Sequence, residues 1–473
     1  MEVILLQTTD ALTDKEIQAG EARKLRDLIR RQSRTAKGPV YILLVGALDA
    51  GGLTDPAKQV LPPLRGTVSR MKRRPSDNGY GCPGKGVLPA AAVGRFPART
   101  PEEARQMVAK TLAYENDRRP GPWRRQLTIL AGAPGFGQFI DQLLESMVFR
   151  RLTGIDPAWT GRAIYHNPSS RIDVPAALIT RRARAYVEAG QALTLYLGHS
   201  GPWGFGYMSR EDWAALKIAR GPGIFVTFGC YGCQVTGKDG SYGLAAMRNP
   251  GGPVAVVGSL GECYSAMVFP AADALTKSLC GPRPPRRLGE AWSRLKQALA
   301  HDKIDPGFYQ LLDLADGNPN IPQATQRLEH LEMFVLFGDP ALQLPALPAD
   351  IGLTCEGAVG PGRTVIVRGK LPARLARARV EVSVARGLET KPVGLRPVPA
   401  SPPAERDRVM LANHERSNGF TLVTKRVSAE KGDFVARVIL PAELPWPHLI
   451  IRAYAHTDRV EGLGVLQVRV GGR

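Results

Sequence analysis

The clearest pattern along the chain is a set of short apolar runs of strand length separated by amphipathic stretches of helical period. The runs at 41–45 (YILLV), 127–131, 193–197 (LTLYL), 224–228 (IFVTF) and 254–258 (VAVVG) are each bounded by glycine, proline or polar residues, as buried strands are. A shorter run at 3–6 reads the same way. Between them the spacing predicts helices over 14–32, 100–115, 138–151, 171–189, 210–219, 265–278 and 288–300, with a break or kink at Pro270. Thr100 stands as N-cap before Pro101, with Glu103 placed for a capping box. Strand alternating with helix argues an α/β fold with mostly parallel sheets.

Beyond about 351 the period drops to two. The stretches 363–368, 378–384, 420–425, 433–440, 449–454 and 464–470 alternate apolar and polar residues, with no helical segment read among them. Short alternating strands at this spacing predict an antiparallel β-sandwich. The change of period sets the expected organisation: an α/β subdomain over 1–150, a second over 151–348, and a sandwich over 351–473.

The runs 193–197 and 224–228 each lead into a reactive side chain. Gly198 and His199 follow the first; Gly229 and Cys230 follow the second. Between them Ser209 caps a helix with Asp212 three positions on, and 221–223 (GPG) stops it, so strand, helix and strand form a crossover unit. Open α/β sheets carry their chemistry at the carboxyl ends of strands, which is where both side chains would sit. A thiol attacks as thiolate, and an imidazole that takes its proton can return it to a leaving amine. The flanking glycines permit tight turns, and the N–H groups of Ser200 and Cys230 are placed to face a developing oxyanion. Taken singly, His199 reads as a structural histidine and Cys230 as a core thiol; their matched placement carries the catalytic reading.

Cys233 competes with Cys230 as nucleophile, although the strand feeds Cys230 without a gap. The same residues form a C-x-x-C pair, which could be a redox dithiol or half of a zinc site. No second such pair completes a zinc site, and the following 234–242 is too glycine-broken for a thioredoxin-like helix. A catalytically silent binding scaffold is the third reading.

At this point the residues resemble the gingipain family of caspase-like cysteine peptidases, peptidase family C25. The matching elements are Gly198-His199-Ser200 and the run ending in Cys230, Val93-Gly94-Arg95-Phe96-Pro97 before its long helix, 254–259, and Phe337-Gly338-Asp339-Pro340. The resemblance implies two caspase-like subdomains followed by an immunoglobulin-like domain, with His199 as general base and Cys230 as nucleophile. Ser200 stands where the family usually has glycine, and 231–234 also departs from its common form. Glu262 could reach the substrate pocket and would favour a basic residue before the scissile bond. The family's habit of binding calcium makes Asp77, in a turn at Asp77-Asn78-Gly79, a candidate structural ligand, although one carboxylate does not make a site. No other cofactor is implied, and the expected partner is a protein or peptide substrate.

Composition changes this picture little. An apolar fraction of 44% with 22% charged residues belongs to a folded globular chain and sets aside disorder. The net charge of +20 invites a nucleic-acid reading, but the basic pairs Arg30-Arg31, Arg118-Arg119, Arg124-Arg125, Arg181-Arg182 and Arg286-Arg287 are scattered, which reads as basic surface rather than a specific site. Six cysteines in 473 residues are too sparse for a disulfide framework. No run is long enough to span a bilayer, and the opening residues turn polar too soon for a secretory leader, although the family is typically exported. No carboxylate that would orient His199 emerges; Asp141 and Glu145 read as surface groups, and His166 as a loop residue.

Overall fold

The computed structural model describes residues 2–48, 61–133, 135, 145, 152–236, 240–301, 306–316, 320–345, 348 and 350–471. The chain divides into two compact units, each assembled from two stretches: Met1–Glu115 with Leu193–Leu344, and Asn116–Ala192 with Pro345–Arg473.

The first unit is built on six strands: β1 (Tyr41–Val45), β2 (Ala92–Phe96), β3 (Gln191–Leu197), β4 (Pro222–Phe228), β5 (Ala255–Ser259) and β6 (Phe334–Phe337). They lie in the order β1-β2-β6-β5-β4-β3. The pairs β1/β2, β2/β6 and β4/β5 are parallel, and β5/β6 is antiparallel. Strands β2, β5 and β6 are buried along their whole length. Their continuous apolar runs therefore match a sheet covered on both faces, as parallel sheets are.

The helices of this unit are α1 (Asp14–Gln18), α2 (Arg23–Ser33), α3 (Pro101–Asn116), α4 (Arg210–Ala214), α5 (Tyr242–Arg248), α6 (Ser265–Cys280), α7 (Leu288–His301), α8 (Pro306–Ala315) and α9 (Gln323–Met333). The single helix expected over 14–32 is two, because Gly20 adopts φ +72° between them. Helix α4 ends five residues earlier than the spacing suggested. The apolar run at 3–6 forms no strand: Val3 and Leu5 are 77% and 86% exposed, with no backbone pairing partner among the described residues. Helix α6 runs through Pro270, since eleven of its residues are buried and tertiary packing outweighs the lost backbone bond. At the start of α3, Thr100 Oγ1 accepts from Glu103 N at 3.2 Å, while the Glu103 carboxylate reaches back to Arg99 N at 2.7 Å.

In the second unit, Gln126–Gly132 pairs in parallel with Thr160–His166, and Ala176–Glu188 is helical. Two antiparallel sheets follow. Gly352–Glu356, Thr364–Lys370 and Asp433–Ile439 form one; Thr421–Ser428, Arg379–Ala385, His448–His456 and Glu461–Arg469 form the other, in that spatial order. Val365, Val367, Val380, Val382, Phe434, Ala436, Leu449 and Ile451 meet in one core, each from the inward register of its strand. A helix, Pro403–Asn418, interrupts this region where none was expected. It buries only Val409, Met410, Asn413 and His414, too thin an apolar stripe to register as helical periodicity. The helix expected over 138–151 and the candidate Asp141 lie outside the described residues; Glu145 is described and is half-buried rather than a surface group.

Candidate active site

Strands β3 and β4 are neighbours in the sheet, and each releases its reactive residue two positions past its carboxyl end, His199 after Leu197 and Cys230 after Phe228. His199 is exposed and Cys230 partly so. The turn into His199 requires glycine, because Gly198 adopts φ +147°. The turn into Cys230 requires it for a different reason: a Cβ on Gly229 would lie 2.1 Å from Ser200 Oγ and 2.9 Å from Ser200 Cβ. Strand ends that approach this closely leave no room for a side chain.

Ser200 accounts for that approach. Its hydroxyl donates to the Cys230 carbonyl at 2.8 Å and accepts from Tyr242 Oη at 3.2 Å, and Tyr242 Oη also shares a hydrogen bond with Thr227 Oγ1. A strap of three hydroxyls thus joins the end of β3 to the end of β4 and to α5. Ser200 is absent from the left-handed region, so serine fits a position that the resembling family fills with glycine. Tyr196 Oη donates to the His199 carbonyl, and its ring stacks on Phe205 with centroids 3.7 Å apart.

Past the nucleophile candidate, Tyr231 holds φ +60°, an uncommon conformation for a bulky residue. It is fixed there by backbone bonds: Tyr231 N to Gly261 O and Cys233 N to Ser259 O, each 2.8 Å, and Gly243 N to Gly232 O at 2.9 Å. This turn carries Cys233 away from the surface. Cys233 is fully buried, a Cβ on Gly258 would meet its sulfur at 2.7 Å, and burial pushes its thiol far above the ordinary range. Cys230 and Cys233 are both free thiols.

The Cys230 sulfur receives a hydrogen bond from Cys263 N at 3.4 Å. Burial nevertheless raises the Cys230 pKa above its usual value, Glu262 and Asp316 add to the rise, and the Cys263 N–H and Arg70 oppose it. A resting thiol is the consequence, so attack requires a base. The N–H groups of Ser200 and Cys230 make no hydrogen bond among the described residues.

Beside the thiol lies a charged cluster that sequence spacing could not reveal. Arg70 donates to Glu329 Oε1 from Nε at 2.8 Å and to Glu262 Oε2 from a terminal nitrogen at 3.2 Å, and lies over the Tyr264 ring at 4.0 Å. Glu262 is therefore exposed but paired with Arg70. Asp316 accepts from Ser265 N at 2.6 Å and Ser265 Oγ at 2.9 Å, at the start of α6. Burial raises its carboxyl pKa, opposed first by the two Ser265 hydrogen bonds and, more weakly, by the nearby His199 imidazole. His330 is buried behind the cluster, accepting from Tyr264 N and held to about pKa 4 by burial, hence neutral.

Two candidates resolve as framework. Asp77 presents both carboxylate oxygens to the buried Arg95 guanidinium, each at 2.7 Å, so it is not a free ligand for calcium. Among the described residues no three His, Cys, Asp or Glu side chains cluster as a metal site. In the second unit, His166 closes the strand Thr160–His166 rather than lying in a loop, with Nδ1 at 3.2 Å from Asp173 Oδ1.

A mostly parallel α/β sheet with cysteine and histidine at adjoining strand ends has the architecture of a caspase-like protein. The model of peptidase family C25 matches residues 2–345, and the chain belongs to that family, which makes it a cysteine-type peptidase. Among solved structures it is similar to the Arg-specific cysteine proteinase gingipain R, at 15% identity and TM-score 0.52 over 97% of this chain and 90% of that one. It is likewise similar to the complex of pro- and mature domains of the Porphyromonas gingivalis enzyme, at 15% identity and TM-score 0.53 over 97% and 92%. No curated protein matches it. Among the described residues no helix is long and apolar enough to cross a membrane.

Proposed function

We propose that the protein is an endopeptidase that cleaves peptide bonds through a Cys230 thioester, with His199 as the base. The observation that carries this is the placement of both side chains at the ends of adjacent strands, tied together by the Ser200 hydroxyl. His199 takes the thiol proton as Sγ attacks the scissile carbonyl carbon, a transfer that the raised Cys230 pKa makes necessary. The N–H groups of Ser200 and Cys230 hold the tetrahedral oxyanion. His199 then protonates the leaving amine, and it later removes a proton from the water that hydrolyses the thioester. Asp316 is the carboxylate that stabilises the imidazolium formed at each stage.

Near the thiol, Arg70 pairs with Glu262 and Glu329, and the carboxylates of Glu262 and Asp316 both act on Cys230. The exposed Glu262 carboxylate favours a basic residue before the scissile bond, exchanging Arg70 for the substrate. Burial of Cys233 supports Cys230 as the nucleophile over its neighbour. The test is a set of fluorogenic peptide amides with Arg, Lys, Asp or Asn before the bond, offered to the wild type, Cys230→Ala and Cys233→Ala, with melting temperatures recorded for all three. Loss of turnover only in Cys230→Ala supports the reading. Turnover in Cys230→Ala, or an inert wild type on every peptide, overturns it.

A further inference from the structure

Among the described residues, Trp203 is the only aromatic side chain among the large apolar ones left exposed, at 71%. Exposed valines and leucines are ordinary on a protein surface, but tryptophan carries far more apolar area and is the residue most enriched where a surface binds another chain. Its position is not that of a loose loop tip. Gly201 and Gly204 exchange backbone hydrogen bonds at 2.9 and 3.1 Å, which closes the turn Gly201-Pro202-Trp203-Gly204. The Pro202 carbonyl accepts from Tyr242 N at 2.9 Å, and the Trp203 carbonyl from Arg210 N at 2.7 Å. The indole lies against Gly201, where a Cβ would come within 2.5 Å of the ring. One face of the ring is thus seated on bare backbone and the remainder is presented to solvent.

The mount is shared with the reactive residues. Tyr242, which holds the Pro202 carbonyl, also donates to Ser200 Oγ, the group bonded to the Cys230 carbonyl. Trp203 is therefore fixed relative to Cys230 through the same residue that fixes the two strand ends. The chemistry then gives the side. A base that protonates the leaving amine must face the nitrogen of the scissile bond, so the departing part of the substrate runs past His199. Trp203 follows His199 by four residues, on the turn that Tyr242 ties to the Ser200 strap.

Resting on the Cys230/His199 reading, we propose that Trp203 is the platform for the substrate side chain just after the scissile bond, and that it selects apolar or aromatic residues there. The flat exposed indole face suits a large apolar side chain and offers no partner to a charged one.

Internally quenched peptides that are identical before the scissile bond and carry Leu, Phe, Gly or Asp after it test this, beside a methyl ester of the same leading peptide, which puts only a methoxy group after the bond. Wild type, Trp203→Ala and Trp203→Phe are compared by kcat/KM. The expected result is a wild-type preference for Leu and Phe over Gly of about tenfold or more. That preference should be lost in Trp203→Ala and largely kept in Trp203→Phe, while the methyl ester is cleaved within about twofold of wild type by all three. Absence of the preference in the wild type, an unchanged preference in Trp203→Ala, or an equal loss on the methyl ester overturns the platform and leaves the peptidase reading in place. An inert wild type on all substrates removes both.

Discussion

The strap from Ser200 makes a sharp prediction about Gly229. In Gly229→Ala the new methyl group would sit 2.1 Å from Ser200 Oγ, well inside contact distance, so the hydroxyl must swing away. Leaving its place costs the bonds to the Cys230 carbonyl and Tyr242 Oη. Two such bonds contribute about 1–3 kcal/mol together. Expressed as transition-state stabilisation, that is a fall of roughly 5- to 150-fold in kcat/KM. Ser200→Gly provides the control, since it deletes both obstructing atoms and leaves only Tyr196 Cε1 at 3.0 Å from the methyl. The double variant Gly229→Ala/Ser200→Gly should melt and turn over no worse than Gly229→Ala alone, because the two strap bonds are lost once in either protein. Thermal melts and turnover of a fluorogenic peptide amide across the four proteins measure the coupling. A Gly229→Ala protein indistinguishable from wild type, or a double variant no better than the sum of the singles, would refute the role given to the close approach.

Other measurements follow from the same geometry. Asp77→Ala strips the buried Arg95 of its bidentate partner and should destabilise by about 3–5 kcal/mol, whereas adding calcium or a chelator leaves the wild-type melting temperature where it was. Lys110 is buried with Nζ on the Met247 and Asn249 carbonyls, and burial lowers its pKa from 10.5 to about 7. Between those values the unfolded chain holds a proton that the fold has released, so stability rises with pH through that window by up to about 1.4 kcal/mol per unit. Urea unfolding of Lys110→Met should lack that rise, and parallel curves for the two proteins would contradict it. Asn413 bonds the Arg171 and Arg396 carbonyls and the Arg396 N–H from inside the unexpected helix, so Asn413→Ala should cost about 2–4 kcal/mol in the same assay.

What the sequence disclosed, and what it withheld, divides along a physical line. Strands β3 and β4 are legible because a fully buried strand needs a continuous apolar run, and Gly198 and Gly229 mark where each ends. The sandwich strands are legible because each has one face in the core, as Asp433–Ile439 alternates without a lapse. The helix Pro403–Asn418 is hidden because only four of its residues are buried. At the site, local signals point to His199 and Cys230, but the groups around them come from far along the chain: Arg70 meets Glu262 across 192 positions, and Tyr242 meets Ser200 across 42. Such pairings leave no mark on periodicity. Ser200 is the instructive residue: it stands where the family usually has glycine, and in the fold its hydroxyl holds the two strand ends together.

The position of β6 also governs when this molecule can come into being. It is the last strand of its sheet to leave the ribosome, yet it lies between β2 and β5. Until 334–337 has been synthesised, the strands on either side of it have nothing to join them, and each shows an open edge. The His199 and Cys230 segments have by then long been made, but the sheet that aims them has no middle. A growing chain is thus a poor peptidase by construction until residue 337 has emerged. A fragment cut short before that strand would offer unpaired edges to its neighbours and should aggregate rather than cleave.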